Sequence, residues 1–500
     1  MLRYLLPILV TLILQASADP VVTVNSGRLK GVTGTNGVTV FRGIPYARPP
    51  VGPLRWRAPE PAEPWEAVRD CSEFAPSCPQ PPSKMGIGPA GQSEDCLYLN
   101  VWTTGSGDRA RPVIVWIHGG GFVMGSGSQS LYDGSVFAQN GIVLVTLNYR
   151  LGPFGFLAHP LLSEESSEGV SGNYGLLDVI AALRWVQDNI HVFGGDPGNV
   201  TMMGESSGAV SVGCLLTAPA AQGLFHRAVM ESGVPELKTR LSAAEEQGEK
   251  IASGLELSEI TIESLRSVSA ERLLETANPS MGMFSKGNKM GPVIDGWLLP
   301  EEPLSRLEAG DLRPVPVLLG TNSREGSLFY KQLNLDTPAS YEFLVRRLFV
   351  RNAEKILDQF PAQSEAEVPD AAINLFTVAR FTAPARRTAR ILVENGYPVW
   401  LYEFDRSNRY TEKMHLGATH GSEIPYVFGT LPQEFADEDD RALSVLMNQA
   451  WSGFASSGDL SAEWPAYTLS GQDFMAFGVP SKPGKALRQK ECDLLDSVRP

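Results

Sequence analysis

The chain has 500 residues, 43% of them hydrophobic and 20% charged, a balance that excludes intrinsic disorder and allows a large buried core. Its 42 Lys and Arg against 56 Asp and Glu give a formal charge of −14, which argues against nucleic acid or an anionic membrane as partner. No collagen repeat, coiled-coil heptad or longer internal period is present, so fibrous and solenoid architectures fall away as well.

Residues 1–18 carry Arg3, an apolar run of about 11 residues and Ala16-Ser17-Ala18 ahead of Asp19, the layout of a secretory leader cleaved after Ala18. A membrane-anchoring helix is the alternative, but the run is well short of the ~20 residues a bilayer core requires. The expectation is therefore a secreted or periplasmic protein without a membrane anchor. Residues 19–500 then form a single catalytic domain, since no linker marks a boundary. Five cysteines follow, Cys71, Cys78, Cys96, Cys214 and Cys492. Export permits a disulfide drawn from Cys71, Cys78 and Cys96, and the odd count leaves at least one thiol free. No CxxC is present and no His lies near these cysteines at ligand spacing, so no metal is expected.

Next in chain order, VVTVNSGRLKGV and VTVFRGIPYA alternate apolar and polar residues around turn signals and predict N-terminal β-hairpins. A Pro-rich surface segment spans 45–64. Short apolar, β-branched runs at 96–104, 113–117 and 142–147 predict strands buried on both faces. Helical spacing over 175–190 follows a cap at Asn173, 199–203 reads as a strand, and the chain turns helical from Ser207. Beyond residue 238 the pattern predicts helices near 241–278, 303–309, 340–358, 371–395 and 438–457, with strands near 315–320 and 399–404. Alternating strands and helices make this an α/β chain with a central, mostly parallel sheet.

Gly204-Glu205-Ser206-Ser207-Gly208 lies between the predicted strand and helix. A nucleophile on so tight a turn needs small flanking residues, and the helix N-terminus favours negative charge there. The strand 113–117 runs into His118-Gly119-Gly120-Gly121-Phe122. Consecutive glycines free backbone N–H groups for an oxyanion, and Gly120, Gly121 and Ser207 are the expected donors. A phosphate cradle is disfavoured, because the Walker Lys-Ser/Thr pair and a GxGxxG are both missing.

A serine nucleophile needs a base. In sheets with such an elbow the partners follow it in the order acid, then His. His118, His159 and His191 precede Ser206, and His226 leaves too little chain for an acid. His415 and His420 remain. His420 sits among small residues in Gly417-Ala418-Thr419-His420-Gly421-Ser422-Glu423, whereas His415 follows a charged stretch, so His420 is the expected base. Glu325, after the strand ending in Leu318-Leu319-Gly320-Thr321-Asn322, is the expected acid and would hold the His420 tautomer. Asp295 is its rival, better read as a turn residue.

With these residues in place the chain resembles the type-B carboxylesterase and cholinesterase family of α/β-hydrolases. Matching stretches include FRGIPYARPPVGPLRW, SEDCLYLNVW, HGGGF, NYRLGPFGFL, FGGDPGNVT, GESSG, REG and GATHGSEIPYVFG. The resemblance implies an α/β-hydrolase fold, a triad on Ser206, Glu325 and His420, and an oxyanion hole on Gly120, Gly121 and Ser207. It also implies a Cys78–Cys96 disulfide, ion pairs Arg42–Glu94 and Arg150–Asp178, and buried carboxylates Glu205 and Glu423 near the histidine. The expected reaction is cofactor-free hydrolysis of a small-molecule carboxylic ester through an acyl-enzyme on Ser206. Departures are informative. Residues 79–95 contain no aromatic, so the cation–π platform for quaternary ammonium is missing. The family's acyl-pocket aromatics fall on Asn288 and Met290, which implies room for acyl groups larger than acetyl. Ala383 replaces the family's partner for Cys492, leaving that thiol free. The sequon Asn199-Val200-Thr201 falls on a core strand and is not expected to carry glycan. Rival readings are a lipase acting at an oil interface and a catalytically silent recognition protein.

Overall fold

The computed structural model describes residues 19–82, 91–105, 110–281, 287–460 and 463–498. Fourteen strands appear among them: β1 (Val21–Val24), β2 (Gly27–Lys30), β3 (Val32–Thr33), β4 (Thr39–Pro45), β5 (Val68–Asp70), β6 (Tyr98–Thr103), β7 (Arg111–Ile117), β8 (Val143–Leu147), β9 (Gly195–Glu205), β10 (Arg227–Glu231), β11 (Val317–Asn322), β12 (Val399–Phe404), β13 (Asp473–Phe477) and β14 (Lys482–Lys485). β1 and β2 form the expected hairpin, with β5 added in parallel as a small separate sheet. The other strands make one large sheet in the order β14-β13-β12-β11-β10-β9-β7-β8-β6-β4-β3. Its middle, from β8 to β13, is parallel throughout, and the antiparallel pairs lie at the two edges.

The sheet is buried on both faces, as its unbroken apolar runs require. Along β7, Val113, Val115 and Ile117 pack on one side with residues of helices Tyr174–Asn189 and Ser207–Thr217. Ile114 and Trp116 turn the other way, toward Met447, Trp451 and Phe454 of helix Glu438–Ser457. This alternation follows from the period of two in a strand.

Several boundaries differ from the sequence reading. The stretch 241–278 divides into Leu241–Gly254, Ile262–Ser267 and Ala270–Ala277. The stretch 340–358 is split at Val350, whose φ is 31°. Within 371–395, a π-helical turn, Val378–Thr382, interrupts the helix, and the Ala383 N–H donates to Val378 O. Pro384 explains it: with no N–H to offer the carbonyl of Arg380, and a ring that would strike it, the chain widens by one residue. Asn173 occupies the N-cap position but does not cap. Its amide bridges instead to Val293 O and Asp295 Oδ2, both at 2.8 Å.

Cys78 and Cys96 form the disulfide, while Cys71, Cys214 and Cys492 are free and buried. Cys492 shares an apolar cluster with Ala383. Arg150 and Asp178 make a fully buried bidentate pair at 2.7 and 2.8 Å. The Arg42–Glu94 pair is not formed. Glu94 is held by Arg55, with contacts of 2.5 and 2.7 Å, and Arg42 donates to Ser72 O at 2.9 Å beneath the Phe74 ring. Arg55 wins because it is buried and needs an anion as well as the Val268 carbonyl, at 2.7 Å, to satisfy its guanidinium. Asn199 and Thr201 lie on β9, where Thr201 is buried.

Gly208 meets Ile117 O so closely that an added Cβ would sit 2.0 Å from that oxygen, whereas a Cβ at Gly453, inside a helix, meets nothing within 4 Å. Gly208→Ala is expected to destabilise by about 3 kcal/mol through overpacking, and Gly453→Ala to stabilise by about 0.5–1 kcal/mol through helix propensity. Thermal unfolding of both variants beside the parent checks this, and equal shifts of the same sign would contradict it.

Candidate active site

The site gathers at the carboxyl ends of the parallel strands, where α/β sheets bind their ligands. β9 delivers Ser206 at the turn into helix Ser207–Thr217, with φ 55° and ψ −120°, a conformation that costs a non-glycine residue on the order of 1–3 kcal/mol. The turn is held by the Ser206 N–H, which donates to Glu231 O at 2.8 Å. A Cβ at Gly204 would lie 2.6 Å from the Gly208 backbone, so both glycines are needed for this close approach. β7 delivers the glycine loop. Gly120 and Gly121 take φ of 106° and 63°, and Val123 and Met124 donate to Gly120 O at 3.2 and 3.1 Å. No hydrogen bond among the described residues uses the N–H of Gly120, Gly121 or Ser207.

β11 brings Glu325 and the loop after β12 brings His420. His420 Nδ1 lies 2.6 Å from Glu325 Oε2, and the other carboxylate oxygen accepts from the Asn322 N–H at 2.8 Å. The two loops are stitched together: Asn322 Nδ2 donates to Thr419 O at 2.7 Å, the Arg324 N–H donates to Ala418 O at 3.0 Å, and the Ser327 and Thr419 hydroxyls are 2.8 Å apart. His415, exposed and at φ 57°, stands outside this arrangement. Asp295 accepts from the Trp297 and Leu299 N–H groups as a turn residue.

His420 Nε2 faces Glu205 Oε1 at 3.1 Å, an ion-pair contact without hydrogen-bond alignment. Among the described residues no hydrogen bond joins His420 to the Ser206 hydroxyl, although both line one cavity of about 440 Å³. Burial disfavours the imidazolium, but Glu205, Glu325 and Glu423 together outweigh it and raise the His420 pKa to about 9. Burial likewise raises Glu205 to about 7, against the pull of His420, and Glu423 to about 8. Asn322 and Ser232 both donate to Glu423. Glu231, raised by burial and by Glu423, accepts from Trp451 Nε1 at 2.6 Å.

The sequence reading missed the residues that line this cavity beyond the polar core. Phe329 and Phe381 pack on His420 with ring centroids 5.3 and 5.0 Å away, and Phe376 packs on both phenyl rings. Met281 and Arg380 complete that wall. The assignment of the acyl-pocket positions to Asn288 and Met290 is corrected by this: Asn288 donates to Ala277 O, and Met290 is buried beside a different cavity. Both lie on the far side of a connection whose residues 282–286 are outside the described part, so linear alignment could not place them. The aromatic-free stretch 79–95 is likewise described only in part. Among the described residues no group of three or more His, Cys, Asp or Glu is placed to hold a metal ion.

Comparison with known proteins agrees with this architecture. A carboxylesterase family model matches residues 18–495. The chain is 40% identical to a fumonisin B1 esterase of Sphingopyxis macrogoltabida, over 92% of this chain and 87% of that one. It is 41% identical to a para-nitrobenzyl esterase of Bacillus subtilis, over 89% and 92%. Among solved structures, a PNB esterase superposes with a TM-score of 0.84 at 36% identity, covering 96% of this chain and 99% of that one. A Geobacillus stearothermophilus carboxylesterase gives 0.84 at 35%, covering 95% and 99%. The chain belongs to the carboxylesterase family, the hydrolases of carboxylic esters built on the α/β-hydrolase fold.

Proposed function

We propose that the protein hydrolyses small-molecule carboxylic esters with Ser206 as nucleophile, His420 as general base and acid, and Glu325 as the carboxylate that orients it. The Ser206 hydroxyl attacks the ester carbonyl carbon while its proton passes to His420 Nε2. The carbonyl oxygen, now anionic, is received by the N–H groups of Gly120, Gly121 and Ser207. His420 returns the proton to the departing alcohol, leaving an acyl-enzyme. Water then repeats the sequence and releases the carboxylate. Glu325 accepts from Nδ1–H throughout and stabilises the imidazolium. The observation that carries this reading is the 2.6 Å contact of His420 with Glu325 in the cavity that Ser206 lines. The open Ser206–His420 contact is compatible with it, because catalytic hydrogen bonds often tighten only with substrate bound.

Glu205, 3.1 Å from Nε2, and Glu423 act on the base through their charge. Met1–Ala18 serve as an export leader for the catalytic domain 19–500, which reaches a secreted or periplasmic location. The Cys78–Cys96 disulfide suits such a compartment, and among the described residues no helix is long and apolar enough to cross a membrane.

Ser206→Ala should lower turnover of 4-nitrophenyl butyrate by about 10⁶ without moving the melting temperature. Activity within tenfold of the parent would show that another group is the nucleophile. The pH profile offers a second check. His420 can accept a proton only when neutral, so activity rises with pH through its pKa. Glu205 is the largest of the charges that raise that pKa. Glu205→Gln should therefore move the rising limb of kcat/KM toward lower pH, by about one unit. A limb that stays in place or moves upward would remove Glu205 from the control of the base.

A further inference from the structure

The wall of the cavity beside His420 holds a cation that the hydrolytic reading leaves unused. Arg380 lies on the π-helical turn Val378–Thr382, next to Phe381, whose ring packs on His420. Among the described residues its guanidinium has no hydrogen bond and no ion pair. Glu236, also in the lining, attracts it from a distance, but the ion pair of Glu236 is with Arg387. Arg380 is open to the cavity's water and yet crowded by protein, and that desolvation lowers its pKa from the ordinary value. The surroundings are apolar, with Phe376, Phe381 and Leu328 nearby in the lining. Exposed to the cavity, flanked by phenyl rings and without a hydrogen bond or ion pair among the described residues, the planar fork matches a carboxylate with two parallel hydrogen bonds.

We propose that Arg380 makes the cavity selective for esters that carry a free carboxylate beside the scissile bond, such as half-esters of dicarboxylic acids or esters of hydroxy acids. This rests on the reading of Ser206 as nucleophile and names the substrate class that site prefers. The widened turn suits the task. Pro384 forces the π-helical bulge, and the bulge brings residues 380 and 381 together into the cavity lining. Phe381 touches the base and Arg380 is left to hold the substrate.

The test compares two matched pairs of substrates. One places the charge on the acyl side, 4-nitrophenyl hydrogen glutarate against 4-nitrophenyl methyl glutarate. The other places it on the alcohol side, 3-acetoxybenzoate against its methyl ester. In the parent enzyme the anionic member of one pair should be preferred in kcat/KM by roughly 10- to 100-fold, and that pair identifies the side that Arg380 reads. Arg380→Gln should bring the ratio to about one, Arg380→Lys should keep part of it, and Arg390→Gln, an exposed arginine outside the cavity, should leave it as in the parent. A parent enzyme that favours the neutral member of both pairs overturns the proposal. So does a ratio that survives Arg380→Gln, which would leave Arg380 only balancing Glu236. Should Arg380→Gln not fold, the parent ratios and the drop expected on Arg380→Lys still decide. If Ser206→Ala abolishes turnover of the neutral ester while the ratio ignores residue 380, the substrate-class inference fails and the nucleophile stands. Unchanged turnover in Ser206→Ala sinks the nucleophile itself.

Discussion

The arrangement depends on one steric constraint, the near-contact between the end of β7 and the turn that carries Ser206. Ile117 O lies so close to Gly208, and the Gly208 backbone so close to Gly204, that no side chain larger than hydrogen fits at either glycine without displacement. β7 and β9 are paired in parallel up to Ile117 and Gly204. Their last residues therefore place the glycine loop and the serine turn side by side before any side chain chemistry is considered. The cost of the strained Ser206 backbone is offset by this pairing and by the bond from its N–H to Glu231 O. A Cβ at Gly119 would also meet Glu205 Oε2, at 2.6 Å, so the same tightness presses the loop against the carboxylate behind it.

Around this frame the protein buries four carboxylates, Glu205, Glu231, Glu325 and Glu423, with a single imidazole among them. Four full negative charges in so small a volume would be prohibitively unfavourable. Burial and mutual repulsion push Glu205, Glu231 and Glu423 toward their protonated forms. Glu325 is the carboxylate among them that meets His420 Nδ1, and its other oxygen accepts from the Asn322 N–H. The charges of Glu205, Glu325 and Glu423 together set how strongly His420 holds a proton. Coupled groups of this kind titrate together, so the proton balance belongs to the cluster and not to one residue.

How much of this could be read in the sequence follows from what each feature depends on. The elbow, the glycine loop and His420 in its run of small residues are local patterns, dictated by close packing and by the order of elements along the chain. The central strands were equally legible, because a strand buried on both faces has to be apolar at consecutive positions. Contacts set by three-dimensional packing were not. Nothing local distinguishes Arg55 from Arg42 as the partner of Glu94, and Asn173 looks like a helix cap until residues 293–295 arrive to claim its amide. The C-terminal hairpin of β13 and β14 escaped notice because Lys482–Lys485 carries no apolar alternation and joins the sheet only by pairing with Asp473–Phe477. Asn322 sat in a segment already singled out, but an amide gives no titration signal, and its role emerges only from its contacts with Thr419 and Glu423.

The wall of phenyl rings beside His420 shows why the second half of the chain resisted reading and why it matters. Phe329 follows Glu325 within a few residues, while Phe376 and Phe381 come from a helix and its π-turn far along the chain, yet Phe329 and Phe381 meet at His420 and Phe376 packs on both. Apolar rings on the imidazole exclude water and strengthen each charge interaction that remains. The same rings bound the space open to a substrate. The tilt of the His420 ring and the shape of the cavity are therefore set by one group of contacts, so a change at Phe381 that enlarges the pocket also loosens His420. Substrate range cannot be altered at Phe329 or Phe381 without altering the setting of His420 as well.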